Sequence, residues 1–375
     1  MKFVWLFAVI TIILSSCSKK VDTCNVTEID GIKVYKNKNI PTVEKLDFNP
    51  QKEFALNEDS NNENYLSYFD PDFISSDSEG CIYIGDHGST PRVNKYSKSG
   101  EFLNSFLKQG TGPGEVGIVS FLCVRNDTVF VGDGTTGSVS LFNPNGEFLS
   151  EMHPKGSLGT YQVNAIGKDK FICVMYTGAI VDGKEQYKVN WALLNWNFDL
   201  YKTLYSEIFD PANSSIPDEW SYVGSSKDKI YIGINDKVNY RIHVYNFEGE
   251  LIEKIFKGYA SIKFTEGEIK RISDYLVKTN QRKLNEKLID KKRAVLGVYV
   301  DKNDNLIVHP AININKSENL GMVLDFFKNN IYLNTTVLKT EDPYYQCDFS
   351  TFIKFIDDRM LLIDGNRNVV EVYQY

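Results

Sequence analysis

Oxygen-bearing side chains recur at matching points along this 375-residue chain: Asp86, Asp133, the pair Asn235 and Asp236, and Asp364. Carboxylates and amides suit a calcium ion or sugar hydroxyls where they converge, and the caps of their own turns where they do not. His87 directly follows Asp86 with Arg92 close behind, and Arg241 stands at the same point of a later segment as Arg92. The other histidines, His153, His243 and His309, are dispersed, and none of the four has a second histidine at metal-ligand spacing.

Several motifs reduce to turns or core. Gly110-Thr-Gly-Pro-Gly-Glu115 has the glycine content of a phosphate-cradling loop, but no Lys-Ser or Lys-Thr follows and no helix opens after it. Asp301-Lys-Asn-Asp-Asn305 sets oxygens at alternating positions. Leu306 stands where an EF-hand loop needs Gly, and Ile312 where it needs Glu, so a hairpin turn is expected. There is no Gly-x-Ser-x-Gly elbow, and no catalytic triad is read. Cys24, Cys81, Cys123, Cys173 and Cys347 show no Cys-x-x-Cys spacing, which argues against a zinc site. Five is odd, and Cys81, Cys123 and Cys173 adjoin apolar runs, so buried free thiols are expected.

The elements that position these residues come from an internal repeat. Gly80-Cys-Ile-Tyr-Ile-Gly-Asp86, Arg92 to Tyr96 and Gly100-Glu-Phe-Leu103 recur as Thr128 to Asp133, Ser138 to Phe142 and Gly146-Glu-Phe-Leu149. A third copy is Lys229 to Gly233, Arg241 to Tyr245 and Gly249-Glu-Leu-Ile252, and weaker ones centre on Lys170 to Val174, Asn305 to Val308 and Met360 to Asp364. Each unit holds four short apolar runs divided by Asp, Asn, Gly and Ser, the pattern of strands joined by tight turns. Six four-stranded units of this length predict an all-β, six-bladed β-propeller. The 22 Tyr and 23 Phe agree with abundant strand. The last unit ends at Tyr375 after its third strand, so an N-terminal strand must close the ring, with Ile32 to Tyr35 and Val43 to Phe48 as candidates.

Through Ile82-Tyr-Ile-Gly-Asp86, Arg92-Val, Tyr96, Gly100-Glu-Phe-Leu103 and Gly110 to Glu115, the chain resembles NHL-repeat (TolB-like) propellers. It resembles more closely the six-bladed propeller lipoproteins of gut-type bacteria. The likeness is strong over Phe73 to Met152, good over Tyr222 to Phe256 and weak elsewhere. It implies that the loops between second and third strands, which carry Asp86, Asp133, Asn235, Asp236 and Asp364, face the central funnel. It does not bring a function with it.

At the N-terminus, Lys2 and the twelve apolar residues from Phe3 to Leu14 form a signal-peptide core, short of the about 20 residues that span a bilayer. Leu14-Ser15-Ser16-Cys17 resembles the bacterial lipobox, which makes Cys17 the expected lipidation site. Ser18 in place of Asp implies sorting to an outer membrane where one exists. The expected organisation is a signal peptide over 1–16, anchor and linker over 17–29, and the propeller over 30–375. Thr265 to Arg293 interrupts the repeat, with a capping box at Thr265 and Glu268 and with Ile269, Ile272 and Leu276 on one helical face. This helical insertion is expected over the funnel or on the rim.

A net charge of −7 and the absence of a long basic run exclude a nucleic-acid footprint. The functional expectation is a monomeric, envelope-anchored binding module for a protein, peptide or glycan, without a cofactor and facing the periplasm or the surface. The alternative is a calcium-dependent hydrolase, lactonase or lyase with its site in the funnel.

Overall fold

The computed structural model describes residues 22–69, 71–88, 90–155, 160–181, 184–209, 223–278, 290–313, 321–339, 351–364 and 367–375. Cys17 with the whole signal segment, Cys347, and residues 279–289 of the insertion lie outside the described residues.

The fold is an all-β, six-bladed propeller of four-stranded antiparallel blades with a single α-helix among the described residues. Blade 1 comprises Ile74–Ser76, Ile82–Asp86, Arg92–Tyr96 and Phe102–Phe106; blade 2 comprises Val119–Arg125, Thr128–Asp133, Val139–Phe142 and Phe148–Met152. Blade 3 is Thr160–Ile166, Lys170–Val181, Lys184–Asn195 and Leu200–Phe209; blade 4 is Val223–Ser225, Lys229–Gly233, Tyr240–Asn246 and Leu251–Lys257. Blade 5 is Val295–Val300, Leu306–Pro310, Met322–Lys328 and Ile331–Leu338; blade 6 is Thr351–Ile356, Arg359–Asp364, Val369–Gln374 and, from the other end of the chain, Gln51–Leu56.

Side-chain oxygens set the hairpin turns. Asn143 Oδ1 accepts from the N–H groups of Asn145 and Glu147, and Asn246 Oδ1 from those of Glu248 and Glu250. Asp301 does the same for Asn303 and Asn305, so this oxygen-rich stretch is the turn its sequence predicts. In the Gly110 loop, Gly112 N–H donates to the Glu115 carboxylate at 2.9 Å, and the loop is likewise a turn.

The core lies between blades. Leu122, Val129 and Phe142 of blade 2 pack on Ile82, Ile84 and Val93 of blade 1, and Ile172, Trp191 and Leu193 of blade 3 on Ile230 and Ile232 of blade 4. A cationic side chain also crosses each seam. Lys95 Nζ donates to Pro144 O, Arg125 to Ile166 O and Lys170 O, and Lys354 to Ile74 O. Lys170 pairs with Glu248, Lys257 with Asp325, and Lys302 Nζ reaches Tyr375 O. Long stems cover apolar surface while the charged ends find oxygen on the next blade. Cys81, Cys123 and Cys173 are buried free thiols, and burial pushes Cys123 up to about 11.

Ring closure differs from the sequence reading in which segment closes it. Gln51–Leu56 pairs antiparallel with Val369–Gln374 and completes blade 6. Ile32 to Tyr35 lies instead in the strand Ile32–Asn37, which pairs parallel with the outer strand of blade 4; Cys24–Ile29, within the stretch read as linker, folds back on it antiparallel. Val43 to Phe48 forms no strand: Thr42 and Val43 donate to Leu333 O on blade 5, and Leu46 and Phe48 pack at the seam of blades 5 and 6. The N-terminal 34 residues from Thr23 to Leu56 therefore strap the outside of blades 4, 5 and 6. Gln51-Lys-Glu opens the closing strand with three exposed polar residues, so it carries no period-two apolar signal.

The insertion begins as α1 (Glu266–Lys278), and its capping box forms as read. Thr265 N–H and Oγ1 both donate to Glu268 Oε2, and Glu268 N–H returns to Thr265 Oγ1. Ile272 is fully buried and Ile269 partly, while Leu276 has no described side chain. Ser261 donates to Lys237 O and Lys292 Nζ to Ile312 O, so the insertion sits on the second-to-third-strand loops of blades 4 and 5 rather than on the outer wall.

Candidate functional site

Four of the five loop positions, Asp86, Asp133, Asp236 and Asp364, cap their own turns. Asp86 accepts from the N–H groups of Ser67, Tyr68 and Gly88 at 2.8 to 3.1 Å, which anchors the segment ahead of blade 1. Asp133 accepts from Thr135 N–H and Thr136 Oγ1; burial alone would raise its carboxyl, and these donors outweigh it and hold the group below its ordinary value. Asp364 binds the N–H and Nε of Arg367. His87 and Arg92 are likewise engaged. His87 Nδ1 donates to Val119 O at 2.5 Å while its ring stacks on Phe73, and Arg92 donates to Glu63 O and Tyr65 O.

Asn235, Asp236 and Arg241 behave differently, because blade 4 sets Asn235 against the outer strand of blade 3. Asn235 N–H and Tyr205 OH both point at Glu207 Oε1, at 3.3 and 2.8 Å. Burial pushes the Glu207 carboxyl up; Tyr205, Arg293 and Asn235 offset part of that, and it stays above its ordinary value. Asp236 caps Val238 and Asn239 and also lies 3.4 Å from the Arg241 guanidinium. Ala294 N–H donates to Asp236 O, so the end of the insertion, with buried Lys292 and Arg293, closes one side of the cluster. Lys292 Nζ pairs with Glu268 beneath α1, and burial drives nearby His309 down to about 3, helped by Lys292.

Carboxylate, amide, phenol and guanidinium groups are thus gathered on the funnel face of blades 3 to 5. The sequence reading named Asn235, Asp236 and Arg241 but missed Glu207, Tyr205 and Arg293. The available signal was Glu207 inside the run Leu204-Tyr-Ser-Glu-Ile-Phe209, a charge where an edge strand meets a loop.

Below this face a cavity of about 130 Å³ occupies the central channel. It is lined by innermost strands of blades 3 to 6 and by Asp72, with Gln162, Asn164, Ser225, Tyr299 and Lys354 as its polar groups. Lys354, set within the apolar Phe352-Ile-Lys-Phe-Ile356, is the residue that sequence could have flagged. A second cavity of about 270 Å³ opens on the opposite face at the seam of blades 1 and 6, between Lys98 and the acidic pair Asp357 and Asp358.

No protein-family model and no curated relative matches the chain. Solved structures similar to it include a putative exported protein from Bacteroides fragilis, 12% identical, covering 91% of this chain and 98% of that one with a TM-score of 0.47. A member of the duf4221 family from Bacteroides vulgatus is 10% identical over 87% of this chain and 98% of its own, with a TM-score of 0.45. Streptogramin B lyase is 12% identical over 82% and 96%, with a TM-score of 0.42. At these identities no activity transfers from any of them.

The cluster can orient a polar ligand through donors and acceptors fixed on three blades. Among the described residues, no three His, Cys, Asp or Glu side chains form a metal set.

Proposed function

We propose that the chain is an exported, NHL-like propeller anchored through Cys17, and that its funnel face is a binding module for a protein, peptide or glycan partner. The observation that carries this reading is the junction of blades 3 and 4, where Glu207, Asn235, Asp236 and Arg241 meet under the insertion. A rigid repeat that presents mixed donors and acceptors on irregular loops is suited to recognition. The calcium-dependent hydrolase reading needs oxygen ligands that converge, whereas Asp86, Asp133 and Asp364 each close their own loop.

The test has two arms on the chain from Ser18 to Tyr375. Crosslinking from an exposed probe at Val238, beside the cluster, captures one envelope component; Arg241→Ala or Glu207→Gln abolishes capture, and a probe at Lys98 on the opposite face captures nothing. Thermal unfolding is then compared in EDTA and in calcium. A ligand at about 100 times its dissociation constant adds about 2.7 kcal/mol. A shift of that order with calcium, without Arg241-dependent capture, would replace the binding reading with the metal-dependent one.

A further inference from the structure

Two hairpin turns of blade 1 and one of blade 6 meet on the face opposite the funnel. Asp77 Oδ1 accepts from the N–H groups of Glu79 and Cys81, and Ser97 Oγ from those of Ser99 and Glu101. These bonds close both blade 1 turns and leave Glu79 and Lys98 exposed at their tips. Ser76 Oγ donates to Asp357 Oδ2 at 3.2 Å, which holds the blade 6 turn Ile356-Asp-Asp-Arg359 against blade 1. Arg359 stacks on Phe54 and pairs with Glu53 at 2.8 Å, both residues of the strand that closes the ring.

The cavity of about 270 Å³ lies between these turns, with Ile82, Ile356 and Leu361 as its apolar lining. Its walls carry opposite charges: Lys98 and Glu79 come from blade 1, Asp357 and Asp358 from blade 6. At every seam a cation finds oxygen on the next blade, but Lys98 stops short of the acidic pair. Among the described residues the Lys98 and Glu79 side chains make no ion pair or hydrogen bond, and the Asp357 carboxylate accepts only from Ser76. Burial would raise the Asp358 carboxyl; Gln374 at 3.3 Å, its own N–H and the charges of Lys98 and Lys302 outweigh this and hold it below its ordinary value. Arg359, also in the lining, is already matched by Glu53.

We propose that this cavity is a second binding site, for a free α-amino acid with an aliphatic side chain. Its ammonium group meets Asp357 and Asp358, its carboxylate meets Lys98, and its side chain rests on the apolar lining at Ile356. A simple anion beside Lys98 would face the carboxylates of Glu79, Asp357 and Asp358, and a simple cation beside those would face Lys98. A zwitterion matches both walls at once. The volume lies just below the range of about 300–1,000 Å³ that holds drug-sized ligands, which suits a single amino acid. The site is on the face opposite Glu207 and stands independently of the funnel-face reading.

Isothermal titration of the chain from Ser18 to Tyr375, which holds every described residue, tests this with leucine, leucinamide and N-acetylleucine. Leucine is expected to bind at one site per chain. Leucinamide lacks the carboxylate and N-acetylleucine the ammonium, and each should bind about tenfold more weakly, the loss of one charge-assisted hydrogen bond. Lys98→Gln should weaken leucine by the same factor and leave leucinamide unchanged. Asp357→Asn with Asp358→Asn should weaken leucine and leave N-acetylleucine unchanged. Urea unfolding without ligand checks that both variants keep the fold, and the analogue series on the wild-type chain stands whatever the variants do. Absence of leucine binding overturns the proposal. Leucinamide bound as tightly as leucine makes the cavity a cation site and overturns it too, and so does leucine binding that both folded variants retain.

Discussion

Lys257 and Asp325 meet at 2.8 Å across the seam of blades 4 and 5, with side-chain exposures of only 8% and 1%. The Lys257 ammonium also lies 4.1 Å from the centre of the Tyr332 ring, and Thr335 Oγ1 donates to the second Asp325 oxygen at 2.6 Å. Both ions are therefore compensated by partners on two blades, which is the condition for tolerating buried charge.

Removing one partner exposes the desolvation cost of the other. Asp325→Ala is expected to lower stability by about 3–5 kcal/mol. Urea unfolding checks this, and the double variant Lys257→Met with Asp325→Leu should recover most of the loss because it leaves no charge behind.

Gly146 illustrates a different constraint. Its φ is +83°, and a methyl group added there would stand 2.4 Å from the Phe106 ring on blade 1. Gly31 has a similar φ of +77° with open space around it. Gly31→Ala should cost about 1–2 kcal/mol for the left-handed backbone alone. Gly146→Ala should cost about 1–3 kcal/mol more, as overpacking at the seam of blades 1 and 2. Equal losses for the two would show that the ring moves aside freely.

Acid sensitivity is expected from two imidazoles, the buried His309 and the half-buried His243. Burial lowers His309 to about 3 and His243 to about 4, the latter also through Arg241 and Lys254. The unfolded chain protonates them near 6.5, so the stability they contribute is present above about pH 6.5 and is lost as pH falls through about 4 for His243 and about 3 for His309. Carboxylates held below their ordinary value, such as Asp77 and Glu371, add to the loss only below about pH 4. His243→Phe, which keeps an aromatic ring between Tyr205 and Tyr245, should flatten the slope of stability between pH 6.5 and 4 by about one proton. An unchanged slope would assign the acid response to other groups.

The sequence alone determined the repeat, and through it the blades, their turns and the helical capping box, because each depends on contacts within a few residues of chain. Alternating apolar residues make strands, Asn and Asp oxygens close hairpins, and Thr265 with Glu268 starts a helix wherever the surroundings permit. Tertiary structure decided what depends on partners far apart in the chain. Gln51–Leu56 closes the ring because its polar start is tolerated at an outer edge and Phe54 and Leu56 find the core there, which no local pattern encodes. Likewise, Asp86, Asp133, Asp236 and Asp364 all cap their own turns, yet in blade 4 the neighbouring Asn235 donates to Glu207 of the next blade, because the third blade's outer strand runs on to Glu207. Position along a repeat fixes the backbone geometry of a loop; the blade next to it fixes what that loop can bind.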